Sequence, residues 1–218
     1  MTDTLRSPLV RHSASQGAGS PDVWGVYEPD TGSIQYICAD PVTRQAALID
    51  VVWNFDPKNY RFSTRSMDQV LDLVRAEGLT VQWVLDTHPH ADHVMASAQL
   101  SARTDAPNAI GALVPDIAGI WADLYNLPGT FNPRRDFDRL FAEGETFRIG
   151  ELEVQVMLSP GHTLGSVSYV CGDAAFVHDT LMQPDAGTSR SDFPGGDTAS
   201  LWDSIQQILL LPPQTRLC

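Results

Sequence analysis

The sequence predicts an α/β fold, and three observations predict it. Short apolar runs of strand length alternate with segments whose apolar residues recur at helical spacing. Three of the strand-like runs lead within a few residues to histidine or aspartate. At 218 residues, 43% hydrophobic and 19% charged, the chain has the size and composition to bury a substantial single core.

The elements follow in order. Met1 to Ser20 is rich in Ser, Gly and Ala and lacks the continuous apolar stretch of a secretory signal, so it is expected to be a disordered tail before one domain over 21–218. Ile34 to Cys38 and Ala46 to Val52 read as paired strands joined by the turn at Ala39-Asp40-Pro41. Ser66 to Glu77 reads as a helix with Val70, Leu71 and Val74 on one face, closed by Gly78. Val81 to Leu85 is a buried strand. From His93 onward a second helix is expected, because Met95, Ala96, Ala98, Gln99 and Leu100 are good formers. Pro115 to Leu140 joins a helix-like stretch to a Pro/Gly/Arg-rich loop. It reads equally as a lid beside a site or as a surface excursion covering apolar area. Leu152 to Leu158 alternates as a strand does, and Ala174 to Val177 is another strand. Asp197 to Leu211 is a helix capped by Asp197 or Thr198, with Leu201, Ile205, Ile208 and Leu209 as its buried stripe and Pro212-Pro213 as its stop. Thr215 to Cys218 begins a further strand.

Chemistry concentrates after the strands. Thr87-His88-Pro89-His90-Ala91-Asp92-His93 follows Val81–Leu85 and packs three imidazoles and a carboxylate into one loop, the donor set borderline divalent metals prefer. Pro89 keeps the backbone out of helix between the first two histidines. Pro160-Gly161 turns sharply after the Leu152 strand and leaves His162 at its exit. The Ala174 strand ends in His178-Asp179. Clustered imidazoles are costly to bury without partners, so the cluster reads as a metal site.

These residues resemble the metallo-β-lactamase superfamily. Its HxHxDH motif matches His88, His90, Asp92 and His93, its later histidine His162, and its bridging aspartate Asp179, with the resemblance running from about Val23 to the C-terminus. The resemblance implies a four-layer αββα sandwich with metal at one edge of two sheets. It also implies a further strand delivering a last histidine, which the sequence lacks; the chain is therefore expected to be a C-terminally shortened form, and a second metal position is in doubt. Many chemistries share this fold, so fold alone does not settle function.

The segment Gly187-Thr188-Ser189-Arg190-Ser191-Asp192-Phe193-Pro194-Gly195-Gly196-Asp197 is similar to the RxDF-type segment of persulfide dioxygenases. Two departures stand out: His178-Asp179 replaces the more usual Gly-Asp, and the 115–140 region is longer than in animal-type enzymes. On this resemblance His88, His162 and Asp179 are expected to form a facial triad on one Fe(II), with open positions where a thiol persulfide, glutathione persulfide first, and O2 meet. His90, Asp92 and His93 then orient those ligands or form a second metal position, and Arg190 binds substrate. The contending expectation is a zinc thioester hydrolase of the glyoxalase II kind. There His88, His90 and His162 hold one Zn(II), Asp92 and His93 the other, and Asp179 bridges.

Composition narrows the partners. A net charge of −13 and the lack of any Lys/Arg run argue against nucleic acid, and no apolar run approaches the ~20 residues that span a bilayer. Cys38, Cys171 and Cys218 are far apart and form no CxxC pair; the first two read as inert core residues, and a reducing cytoplasm is the simplest compartment. A homodimer is among the assemblies open to the chain.

Overall fold

The computed structural model describes residues 9–218. Five strands open the chain: β1 (Val10–Ser13), β2 (Asp22–Tyr27), β3 (Ile34–Ala39), β4 (Gln45–Ile49) and β5 (Val52–Asp56). Then come β6 (Arg61–Ser63), α1 (Arg65–Ala76), β7 (Thr80–Leu85), β8 (Val94–Met95), α2 (Ser97–Thr104) and β9 (Asn108–Gly111). The excursion holds α3 (Val114–Leu124) and a single turn, α4 (Pro133–Asp136). The second half runs β10 (Arg139–Phe141), β11 (Thr146–Ile149), β12 (Leu152–Leu158), β13 (Val167–Cys171), β14 (Ala174–Phe176), a 3₁₀ turn (His178–Thr180), α5 (Thr198–Leu209) and β15 (Arg216–Leu217).

Two sheets face each other. The first has seven strands in the order β1-β2-β3-β4-β7-β9-β10, the second five in the order β11-β12-β13-β14-β15, and β6-β5-β8 form a small third sheet. Strand periodicity sorts the side chains. In β4, Ala47 and Ile49 face the second sheet, while Ala46 and Leu48 face the layer of α1 and α2. In β12, Leu152, Val154 and Val156 point into the inter-sheet core, and Glu153 and Gln155 point to water. Met67, Val70 and Val74 of α1 and Leu100 of α2 cover one outer face; Ile208 of α5 covers the other, against Ala175 and Val177. The result is the expected αββα stack. Cys38 and Cys171 are free and fully buried between the sheets, and Cys218 packs against that same core.

Several expectations are corrected. Part of the expected disordered tail is ordered: Val10–Ser13 pairs antiparallel with β2 from Val23 to Val26, while residues 1–8 lie outside the described residues. The expected strand Ala46–Val52 is two strands. Asp50 adopts φ 52° between them, which breaks the ladder and turns its carboxylate inward. The helix expected from His93 begins at Ser97, because Val94 and Met95 pair with Trp53 and Val52 and the Ala96 N–H bonds the Val51 carbonyl. Helix propensity, worth a few tenths of a kcal/mol per residue, yields here to the ladder. Leu209 is exposed and not part of the α5 stripe, whereas Leu201, Ile205 and Ile208 are buried and Asp197 caps the Ser200 N–H at 2.7 Å as expected. Arg216 of β15 reaches back to the beginning of the fold: its guanidinium donates to Asp173, to Ser20, and to the carbonyls of Ser13 and Pro21.

Candidate metal centre

Four strand ends converge on one point. β4 ends at Asp50, β7 at the Asp86–His93 loop, β12 at the His162 loop and β14 at His178-Asp179. Donor atoms of His88, His162 and Asp179 lie within 4.8 Å of one another, and so do those of His90, Asp92 and His93. Both sets named from the sequence are thus brought together. Asp179 Oδ2 stands 3.6 Å from His88 Nε2 and 3.6 Å from His162 Nε2.

One buried carboxylate sets two imidazole tautomers. Asp50 Oδ1 accepts the Thr87 N–H at 2.8 Å, and Oδ2 lies 2.8 Å from Thr87 Oγ1. An ionised carboxylate only accepts, so the single Thr87 hydroxyl proton points to Asp50. His88 Nδ1, 3.0 Å from the same hydroxyl, must then carry a proton and donate it, which leaves Nε2 bare. By the same logic His90 Nε2 donates to Asp50 Oδ1 at 3.2 Å and leaves Nδ1 bare. His162 Nδ1 donates to the Arg190 carbonyl at 2.8 Å, so its bare nitrogen is also Nε2. Such outer partners fix ligand orientation and basicity.

The bare nitrogens test whether a metal fits. His88 Nε2, His90 Nδ1 and His93 Nε2 are buried without any hydrogen-bond partner among the described residues. Orphaned buried polar atoms demand an explanation, and an ion supplies one. Donors at ~2.1 Å from a shared ion stand about 3.0–3.5 Å apart, close to the 3.6 Å separations around Asp179 Oδ2. The residues fit a divalent metal.

Electrostatics agree with the tautomers. Burial, with His88 beside it, pushes His90 down to about 3, and burial lowers His88 as well, so both are neutral and competent to ligate. Burial alone would raise Asp50 and Asp179, but the imidazoles around them, His178 foremost, hold both carboxyls well below the usual range. Asp86, buried beside Asp50, is pushed up to about 8. His178 goes the other way: burial opposes its charge, but Asp50 and Asp179 lift it to about 9.

Local sequence explains the placement. Gly161 has φ 138°, and a Cβ there would overlap the backbone of Leu201, so only glycine lets the His162 loop lie against α5. The 187–197 segment clamps the site from outside. The Ser189 hydroxyl donates to the Asp179 carbonyl, the Phe193 ring stands edge-on to His162 at 5.4 Å, and the Asp197 N–H bonds the Gly161 carbonyl at 2.9 Å. The Arg190 side chain is exposed at this rim, stacked over Phe193 at 4.6 Å and paired with Asp192 by bonds of 2.6 and 2.8 Å. The 115–140 excursion lies beside the site: a side chain at Gly165 would press on Val114, Ile117 and Pro89, and one at Gly195 would overlap Ile117.

Sequence reasoning missed Asp50. The signal was present, since Asp50 follows the apolar run Ala46-Ala47-Leu48-Ile49 just as the candidate ligands follow theirs. In sequence His178 marks a strand end and a departure from the usual Gly-Asp; in the fold it stands with His88 and His90 as a third close imidazole.

An αββα sandwich with a histidine–aspartate centre at the strand ends defines a metal-dependent enzyme class. The profile of the metallo-beta-lactamase superfamily matches residues 42–218, and the chain belongs to that superfamily. It is 50% identical over 202 residues to a "Beta-lactamase hydrolase-like protein" of Xylella fastidiosa, covering 93% of this chain and 47% of that one. The chain thus spans about half the length of that relative. "Glyoxylase B2" of Dictyostelium discoideum is 38% identical over 90% of this chain and 68% of its own length. The human mitochondrial "Persulfide dioxygenase ETHE1" is 28% identical over 94% of this chain and 70% of its own. The crystal structure of ETHE1 from Myxococcus xanthus superposes with a TM-score of 0.69 at 29% identity, covering 96% of this chain and 73% of that one. No helix among the described residues is long and apolar enough to cross a membrane.

Proposed function

We propose that the chain is a mononuclear non-haem Fe(II) dioxygenase of low-molecular-weight thiol persulfides, with His88, His162 and Asp179 as the ligands. The observation that carries this reading is Asp179: Oδ2 stands at 3.6 Å from both Nε2 atoms, while Oδ1 is engaged by His178 Nδ1 at 3.2 Å. Two imidazoles and one carboxylate form the triad that leaves adjacent positions open on Fe(II). The likeness to the ETHE1 proteins and the Arg190-Ser191-Asp192-Phe193 segment support it.

The reaction balances as R–S–SH + O2 + H2O → R–SH + SO3²⁻ + 2 H⁺: the outer sulfur is oxidised, O2 is reduced, and water supplies the third oxygen. Fe(II), held by His88, His162 and Asp179, would supply the open positions and the redox activity that let the sulfur's electrons reach O2. The protein's own groups orient and bind. Asp50, through Thr87, keeps His88 Nε2 bare, and the Arg190 carbonyl does the same for His162. The Arg190 guanidinium, at the rim, grips a substrate carboxylate by exchanging it for Asp192. No side chain acts as nucleophile.

A second reading has its own observation. His90 Nδ1 and His93 Nε2 are also bare and buried, with Asp92 within 4.8 Å, as a dinuclear zinc thioester hydrolase would require; the likeness to Glyoxylase B2 leans the same way. Oxygen uptake separates the two. Iron-loaded protein given glutathione persulfide should consume O2 and release one sulfite per O2, with S-lactoylglutathione a poor substrate. Thioester cleavage without O2 uptake, by protein holding two zinc ions, would decide for the hydrolase.

A further inference from the structure

His178 has no part in the ligand set above, yet its backbone is held where side chains rarely go. Its φ is 36°, in the left-handed region that favours glycine. Non-glycine residues stay there only when their surroundings hold them, and such positions cluster at functional sites. The side chain is nearly enclosed. Nδ1 lies 3.2 Å from Asp179 Oδ1, while Nε2 lies 3.5 Å from the Ser33 hydroxyl and 4.0 Å from Asp50 Oδ2. Its ring centre is 5.4 Å from that of His88 and 5.0 Å from that of His90.

The two oxygens of Asp179 are therefore divided. Oδ1 faces His178, and Oδ2 alone faces His88 and His162. A carboxylate oxygen only accepts, so Nδ1 carries the proton in this contact. We propose that His178 is a positioning residue for the metal centre: its Nδ1–H holds Asp179 Oδ1, so that a single oxygen is offered to the ion shared with His88 and His162. The inference rests on the reading of that triad as a metal site, but on neither iron nor dioxygenation. The imidazole lies beside the triad without joining it, and the strained backbone is what brings it there.

The test uses Co(II) binding to metal-free protein, measured by competition with a chromophoric chelator. Glycine is the residue that φ 36° favours, so His178→Gly keeps the backbone and removes only the imidazole. The dissociation constant for Co(II) should rise about 10–100-fold, the usual cost of losing an outer partner of a ligand, while the metal-free protein stays folded at the assay temperature but melts below wild type, because Asp50 and Asp179 lose the imidazole that faces them. His178→Asn restores an N–H donor on a residue that tolerates positive φ and should recover most of the affinity. An unchanged or tighter constant in His178→Gly overturns the proposal. So does a loss that His178→Asn leaves unrepaired, because that outcome makes His178 a ligand itself. Failure of persulfide oxidation alongside these Co(II) results would refute the proposed reaction and leave the positioning role standing. Wild-type protein that binds no Co(II) would end both.

Discussion

Replacing Asp50 with alanine removes the acceptor shared by three buried donors: the Thr87 N–H, the Thr87 hydroxyl and His90 Nε2–H. Hydrogen bonds to a charged group contribute about 1.5–3 kcal/mol each, but members of one network do not add. Breaking a buried charged constellation by deleting one partner typically costs about 3–5 kcal/mol. For a chain of this size each kcal/mol moves Tm by about 2–4 °C, so Asp50→Ala should melt roughly 6–20 °C below wild type. The second consequence is chemical. Freed from Asp50, Thr87 can donate to His88 Nδ1, and His90 can change tautomer, so the bare nitrogens are no longer fixed. Metal affinity should fall about 10–100-fold. Asp50→Asn keeps one acceptor oxygen and should lie between the two. Calorimetry of metal-free protein gives the first number and chelator competition with Co(II) the second. An Asp50→Ala protein melting within about 2 °C of wild type with unaltered Co(II) affinity would refute the tautomer argument.

Other expectations are more local. Asp40 binds the Val42 and Glu151 N–H groups and the Thr43 hydroxyl, and although burial pushes its carboxyl up, these bonds hold it below the usual range. A depressed carboxyl stabilises above its unfolded pKa of about 3.9 and loses that contribution as pH falls through the folded value. Asp40→Asn should therefore be less stable than wild type at pH 7, with the gap closing below about pH 4 in urea titrations. Gly161→Ala must fit a Cβ into the Leu201 backbone at φ 138°; it should cost about 2–5 kcal/mol in urea unfolding and carry His162 out of register with Asp179. Arg190→Lys keeps the charge but loses the fork; KM for glutathione persulfide should rise several-fold while iron content and Tm hold, because only the Arg190 backbone carbonyl touches His162. An unchanged KM assigns Arg190 to its pair with Asp192 alone.

The candidate ligands were legible because donor chemistry marks them by residue type, and because each follows an apolar run that announces a strand end. Asp50 carries the same mark but stands alone in sequence, and a lone acid after a strand reads as a turn residue. Its meaning lies in Thr87 and His90, dozens of positions later, which no local pattern conveys. The helix expected at His93 failed for a related reason: the competing partner of Val94 is Trp53, on a distant strand. Leu209 fits the α5 period, yet it faces away from the Ala175–Val177 surface that Ile208 covers. Patterns at periods of 2 and 3.6 report which residues want burial; what they are buried against is a tertiary fact.

Arg216 carries a consequence for how the molecule comes to be folded. Its guanidinium closes contacts to Ser13, Ser20 and Pro21 across about two hundred residues of chain, and β15 pairs parallel with β14 only beside it. Pairings of such sequence separation demand that the chain's loop-closure entropy be met before they stabilise anything. They raise contact order and slow folding. In synthesis β1 and β2 precede the guanidinium that ties them to the second sheet by about two hundred residues. These strands must therefore wait, with the edge of the seven-stranded sheet untethered, until every other strand of the two sheets has been made and β15 arrives.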